Sequence, residues 1–283
     1  MASDIQILGR RYPEKRAFIT GAASGLGAEL ARQLAGEGWQ LGLNDIDAAA
    51  LDKVVKECNQ GGSRVNAYAF DVCDQAAFFN AASRFIETAG GADLLIQCAG
   101  IGAGGLFTDL SPVHEREVME VNYHACMTGC RAFLPHFLEQ GSGHIINVAS
   151  AAAFHGMPHL SAYNASKAAL LAASETLSAE LRGSGVYVSL MMCTFYRSDI
   201  WKHTRGEDAE RDAARRLGES ARLTIARAAN LTLKGVAGRK FYIVFPALAR
   251  SLWLFKRLYP HGYLRLVPRL FDAVVKPRAY DPE

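Results

Sequence analysis

The sequence predicts an α/β protein built on a parallel sheet with helices on both faces. Two observations carry this. Seven short, β-rich apolar runs (Ala17–Thr20, Gln40–Asn44, Val65–Phe70, Leu94–Cys98, His144–Val148, Val186–Cys193 and Phe241–Phe245) alternate with longer helical patterns. The runs are also nearly continuous in apolar residues, as strands buried on both faces are. Composition agrees: half of the 283 residues are hydrophobic and 21% are charged, enough to bury a core without disulfide or metal.

The first run leads into Thr20-Gly21-Ala22-Ala23-Ser24-Gly25-Leu26-Gly27, where a helix begins. Leu26, Leu30 and Leu34 recur every four residues up to Glu37, while Glu29, Arg32 and Gln33 mostly turn away, which makes Leu26–Glu37 an amphipathic helix. A glycine-rich turn between a strand and a helix lets backbone N–H groups approach a pyrophosphate, and the helix dipole favours the anion. A tight turn without ligand would look the same in isolation. The second run, however, ends in Asn44-Asp45, 18 residues beyond Gly27. An acid there can accept hydrogen bonds from ribose hydroxyls and repels a 2′-phosphate. With no Lys or Arg in the turn or adjacent to Asp45, NAD is expected rather than NADP.

Further along, Tyr163-Asn164-Ala165-Ser166-Lys167 opens a helical pattern running to about Gly183. Residues i and i+4 share a helix face. A phenol titrates near 10, and a neighbouring ammonium lowers that value, so the pair is a candidate acid/base for an alcohol oxygen. Tyr-x-x-x-Lys alone is a weak signal, since exposed helical pairs are common. Thirteen residues upstream, Ser150 follows the strand His144–Val148 at the carboxyl edge, where ligands bind in such sheets.

Taken together, Thr20–Gly27, Asp71-Val72, Cys98-Ala99-Gly100, Asn122, Ser150 and Tyr163-x-x-x-Lys167 resemble, in order and spacing, the short-chain dehydrogenase/reductase family over about residues 14–245. The resemblance implies a doubly wound Rossmann fold with a seven-stranded parallel sheet, in one dinucleotide-binding and catalytic domain over 1–245. Tyr163 would be the acid/base, Lys167 would lower its pKa and hold the nicotinamide ribose, and Ser150 would orient the substrate oxygen. Asn122 would brace a proton-relay water. Gly21, Ser24, Gly25, Leu26, Gly27, Asp45, Asp71, Val72, Cys98, Ala99 and Gly100 would form the cofactor site with Tyr163 and Lys167. Ser198 would meet the carboxamide. A homodimer or homotetramer is also implied.

The chain departs from the family pattern twice. Gln97-Cys98 stands where Asn-Asn is usual, which puts at risk a hydrogen bond that supports the central sheet. Cys193-Thr194-Phe195-Tyr196 stands where Pro-Gly is usual, with Phe195 expected beside the nicotinamide. Both departures admit an alternative, a non-catalytic dinucleotide-sensing protein. The intact Asn122, Ser150, Tyr163 and Lys167 argue instead for an oxidoreductase acting on a hydrophobic secondary alcohol or ketone. Phe154, Met157, Phe195, Tyr196 and Trp201 are the expected apolar walls of its substrate pocket.

The remaining signals are weaker. Cys58, Cys73, Cys98, Cys126, Cys130 and Cys193 contain no C-x-x-C and no zinc spacing, so no metal is expected and free thiols in a reducing cytoplasm are. Met1–Lys15 has no apolar segment of the secretory kind. His155 and His159 are expected on a surface loop. Residues 194–227 look like a substrate-lobe insertion.

Charge is uneven: residues 1–200 carry 14 Lys/Arg against 20 Asp/Glu, and residues 201–283 carry 17 against 8. The basic, aromatic extension at 246–283 suits a flap over the cleft, a subunit contact, or peripheral membrane contact through 246–278. Packing within the molecule or between subunits is the favoured reading. No motif for nucleic acid is present.

Overall fold

The computed structural model describes residues 3–60, 62–196, 202, 204–206, 212, 215, 216, 219 and 221–266. Seven strands form one parallel sheet: β1 (Arg16–Thr20), β2 (Gln40–Asp45), β3 (Val65–Ala69), β4 (Leu94–Gln97), β6 (Gly143–Val148), β7 (Val186–Cys193) and β9 (Tyr242–Phe245). Their order is β3-β2-β1-β4-β6-β7-β9. The chain steps outward from β1 to β3, then crosses back to β4 on the other side of β1. That reversal opens a crevice at the carboxyl edge. This is the expected doubly wound sheet, and the seven apolar runs match its strands to within a residue at either end.

Alternation along each strand divides the core in two. Ala17 and Ile19 of β1, Leu94 and Ile96 of β4, and Ile146 of β6 face one layer. There they meet α1 (Asp4–Arg11), α2 (Gly25–Ala35), α3 (Ala48–Asn59) and α8 (Ile225–Ala237). Phe18, Leu95 and Ile145 face the other layer, beneath α4 (Gln75–Ala89) and α6 (Ala125–Gln140). On that side Phe18 is ringed by Tyr68, Phe78, Phe85 and Phe133, with centroids 5.2–6.3 Å away. At the edge opposite the crevice, Arg16 grips Asp93 with two donors, Nη2 to Oδ1 at 2.9 Å and Nε to Oδ2 at 3.1 Å. Both groups are buried, so each charge has its partner.

α1 lies in a segment with no helical expectation. Ser3 caps it, accepting from Gln6 N while Gln6 answers its own N–H, and Leu8 is fully buried against the first layer. Of the 34 residues of the expected insertion, 16 lie outside the described residues. Within it, Thr204–Arg205 form β8, which pairs in parallel with β5 (Gly102–Ala103). After β9 the chain continues as α9 (Ala247–Leu258) and a helical segment over 260–266.

Candidate active site

The turn after β1 is shaped by close backbone approach. Gly21 has φ +65°, and a Cβ there would lie 2.7 Å from Ala99 N; a Cβ on Gly27 would lie 2.2 Å from Gly21 O. Neither position has room for a side chain, so the turn brings β1, the loop after β4 and the start of α2 into contact. Ser24 precedes α2 in an extended conformation, and its hydroxyl makes no cap hydrogen bond. The first N–H groups of α2 are therefore left for a ligand. Asp45 Oδ2 accepts from Ala23 N at 2.9 Å and Oδ1 from Asp47 N at 3.1 Å, which fixes the carboxylate at the mouth of the turn.

A cleft of about 620 Å³ runs along this edge. Every cofactor-binding residue expected from Gly21 through Gly100 lines it: Gly21, Ser24, Gly25, Leu26, Gly27, Asp45, Asp71, Val72, Cys98, Ala99 and Gly100. A crowded glycine cradle at a helix N-terminus, with a fixed carboxylate at the end of β2, fits a dinucleotide. Ser198 lies outside the described residues.

The residues expected to handle the proton gather behind the cleft, against its lining residues Gly100 and Val148. α7 (Ser161–Glu180) carries Tyr163 and Lys167, and Lys167 Nζ lies 5.8 Å from the Tyr163 ring centroid. Lys167 is buried and donates to Val148 O at 3.0 Å. Ser150 ends the loop from β6 and accepts from Ala152 N at 3.1 Å, which holds its hydroxyl in place. Asn122 sits fully buried in a π-helical turn (Glu120–His124) between α5 (Pro112–Met119) and α6. Such turns recur at functional positions. Its side chain accepts from Ile101 N at 2.9 Å and donates to Ile101 O at 2.9 Å and Ser166 Oγ at 3.0 Å. Asn122 thus clamps the chain just past Gly100, where an added Cβ would lie 3.0 Å from Asn122 Oδ1 and 3.5 Å from Lys167 Nζ.

Burial dominates the electrostatics. It pushes the Tyr163 phenol above its ordinary value; a hydrogen bond from the Ser150 side opposes this, and Cys193 adds to it. Burial also pulls the Lys167 ammonium down, against the neighbouring Cys126 and Cys98. Desolvation is therefore the largest influence on Tyr163, ahead of the Ser150 hydrogen bond. Both groups are taken out of water, and one of the three N–H groups of the Lys167 ammonium is engaged by Val148 O.

Four expectations need correction. The Gln97 substitution does not strip support from the sheet: Gln97 Nε2 reaches Asn147 Oδ1 at 2.8 Å and Cys126 O at 3.0 Å. Asn147 passes the chain to Ser174 Oγ at 2.9 Å on α7. The longer side chain fits because residue 129 is glycine, where a Cβ would lie 2.2 Å from Gln97 Oε1. Phe195 is 38% exposed and is not among the residues that line the cleft, where Tyr196 stands instead. Burial beside Cys98, Tyr163 and Cys193 pushes the Tyr196 phenol far up.

His155 is the third. It is buried, not on the surface, stacked on Tyr263 with centroids 5.7 Å apart and hydrogen-bonded to its hydroxyl. Phe154 is likewise withdrawn from the substrate wall and packs against Trp253 at 6.4 Å. Lys256 donates to Phe154 O. The extension therefore grips the loop that follows Ser150. Trp201 lies outside the described residues, and His159 is exposed.

Sequence reading also missed a pair at the cleft rim. Arg205 Nε donates to Glu117 Oε2 at 2.7 Å, and both residues line the cleft. They are 88 residues apart, and only the β5–β8 pairing brings them together.

The fold and this edge define a class: chains built on a doubly wound parallel sheet with a glycine turn at its crevice. A family profile described as short chain dehydrogenase matches residues 15–209. The chain belongs to that family. It is 36% identical over 203 residues to "Probable oxidoreductase EphD" of Mycobacterium bovis, covering 70% of this chain but only 34% of that longer relative. It is 31% identical over 272 residues to "Dehydrogenase/reductase SDR family member 7B" of Danio rerio, covering 93% and 88% of the two chains. Among solved structures, a short chain dehydrogenase/reductase from Burkholderia phymatum in complex with NAD superposes with a TM-score of 0.79 at 30% identity, covering 95% of this chain and 97% of that one.

Proposed function

We propose that the protein moves hydride between NAD(H) and a hydrophobic secondary alcohol or ketone, with Tyr163 as the acid/base. The observation that carries this is the grouping of Ser150, Tyr163 and Lys167 directly behind the cleft, where Lys167 Nζ meets the lining residues Val148 and Gly100, while the glycine turn and Asp45 line the same cleft. When bound, the dinucleotide supplies or takes the hydride. The chain's own residues handle the oxygen. Ser150 donates a hydrogen bond to it, and the Tyr163 hydroxyl gives or accepts its proton. Lys167, buried beside the phenol, holds the ribose, and its positive charge opposes without overcoming the rise that burial imposes on Tyr163. Asn122 keeps the Gly100–Ile101 backbone at the distance this grouping needs.

NAD is favoured over NADP because the Asp45 carboxylate is fixed at the mouth of the turn and repels a 2′-phosphate. The apolar side chains of Ile101, Val148 and Tyr196 on the cleft wall support a hydrophobic substrate. Domain limits at 1–245, with a core at 14–245, and a cytoplasmic homodimer or homotetramer complete the reading; light scattering in solution checks the assembly. The sensor alternative loses one of its motives, because Gln97 rebuilds the support it was thought to remove. A panel of secondary alcohols and ketones, followed by nicotinamide absorbance with each dinucleotide, tests the whole. Turnover with NAD(H) on apolar members is expected; tight NADH binding with no turnover across the panel would return the sensor.

A further inference from the structure

We infer that the outer face of the C-terminal extension docks on an anionic lipid surface. The extension has two faces with different chemistry. Its inner face is spent on the protein: Trp253 lies 6.4 Å from Phe154 and 4.8 Å from Tyr242, Lys256 donates to Phe154 O, and Tyr263 is buried on His155. Its outer face is apolar where a soluble surface is normally polar. Leu254 and Leu258, one turn apart on α9, are 45% and 83% exposed, Leu248 is 67% exposed, and Leu264 in the next segment is 59% exposed. Arg250 and Arg257, seven residues apart, run along one side of the Leu254–Leu258 line, and both are exposed. Arg257 lies 5.1 Å over the Trp253 ring, which ties its stem to the helix.

Charge selects the occupant. From Pro246 to Phe271 the sequence contains Arg250, Lys256, Arg257, Arg265 and Arg269 and no Asp or Glu. A second copy docking through the same face would set this patch against itself, cation against cation, with no acid to pair. A bilayer with anionic headgroups offers an apolar layer for the leucines and negative charge for the arginines at the depth each reaches. At 12 residues, α9 is about 18 Å long against a hydrocarbon core of about 30 Å, so it lies along the surface. The inference goes beyond the proposed reaction and does not depend on it.

The test is co-sedimentation of the full chain with vesicles of phosphatidylcholine, alone or mixed with phosphatidylglycerol. Wild type is expected to bind the mixed vesicles, to bind phosphatidylcholine weakly, and to be released by high salt. Leu254→Glu/Leu258→Glu and, separately, Arg250→Glu/Arg257→Glu are each expected to lower binding by about tenfold or more. NADH titration serves as the folding control, since none of these residues touches the cleft. No binding to mixed vesicles overturns the inference, as does binding that neither pair of substitutions weakens. So does a dimer that the leucine substitutions split while wild type ignores lipid; the face then belongs to a second copy. Vesicle binding by a protein that turns over no alcohol or ketone would sink the proposed reaction and leave the surface standing.

Discussion

The Tyr163 phenol is pulled two ways, upward by burial and downward by the Ser150 hydrogen bond. Proton abstraction from an alcohol needs the phenolate, so oxidation should rise with pH along a limb set by Tyr163, while ketone reduction needs the phenol and should fall along it. Removing the lowering partner moves that limb: Ser150→Ala is expected to shift it to higher pH, besides reducing kcat by about 10²-fold or more. A pH profile of alcohol oxidation reads both, and a limb that stays in place contradicts the assigned contact. Within the cleft, Gly27→Ala drives a methyl group into Gly21 O. Calorimetric titration should show NADH binding weakened at least about tenfold, because the backbone must move out of the position the phosphates need. Asp45→Ser is expected to narrow the preference for NADH over NADPH in the same titration; an unchanged ratio removes Asp45 from cofactor choice.

Elements reach the site by routes of unequal legibility. The strands and α2 could be read because apolar runs and a four-residue leucine repeat are local signals, and the glycine turn and Tyr163–Lys167 sit where those elements begin. What escaped depends on partners distant in the chain. Gln97 reads as a lost asparagine until β4, β6, α6 and α7 are assembled around it; only then does Gly129 appear as the space it fills. The β5–β8 pairing and the Arg205–Glu117 contact likewise exist only once residues a hundred positions apart are neighbours. This account makes Gln97 structural. Gln97→Ala leaves Asn147 Oδ1 and Cys126 O buried without their donor, and should cost about 1–3 kcal/mol in chemical denaturation. Gly129→Ala should cost a similar amount, about 1–3 kcal/mol, through overpacking against the same side chain.

Across the whole molecule, the charge asymmetry resolves into a body over 1–245 that is close to neutral, with 24 Lys/Arg against 25 Asp/Glu, and a basic extension over 246–283, with 7 against 3, locked onto it at His155. Burial, with Lys256 nearby, holds His155 down at about 4 from its ordinary 6.5, and burial holds His144 at about 3. Both rings are accepted by the fold in neutral form. Their contribution is complete above about 6.5 and is lost as pH falls through those lower values, since the unfolded chain then binds more protons. Thermal stability should fall over that window, and His155→Gln should flatten part of the fall; an unaltered slope would mean that the Tyr263 contact does not hold the ring. The central claim remains the chemistry at Tyr163. Its most direct test is Tyr163→Phe in the full chain, with NADH affinity and turnover of the best alcohol measured on the same sample. The account predicts wild-type affinity for NADH and turnover lowered by about 10³-fold or more, whereas turnover close to wild type would contradict it.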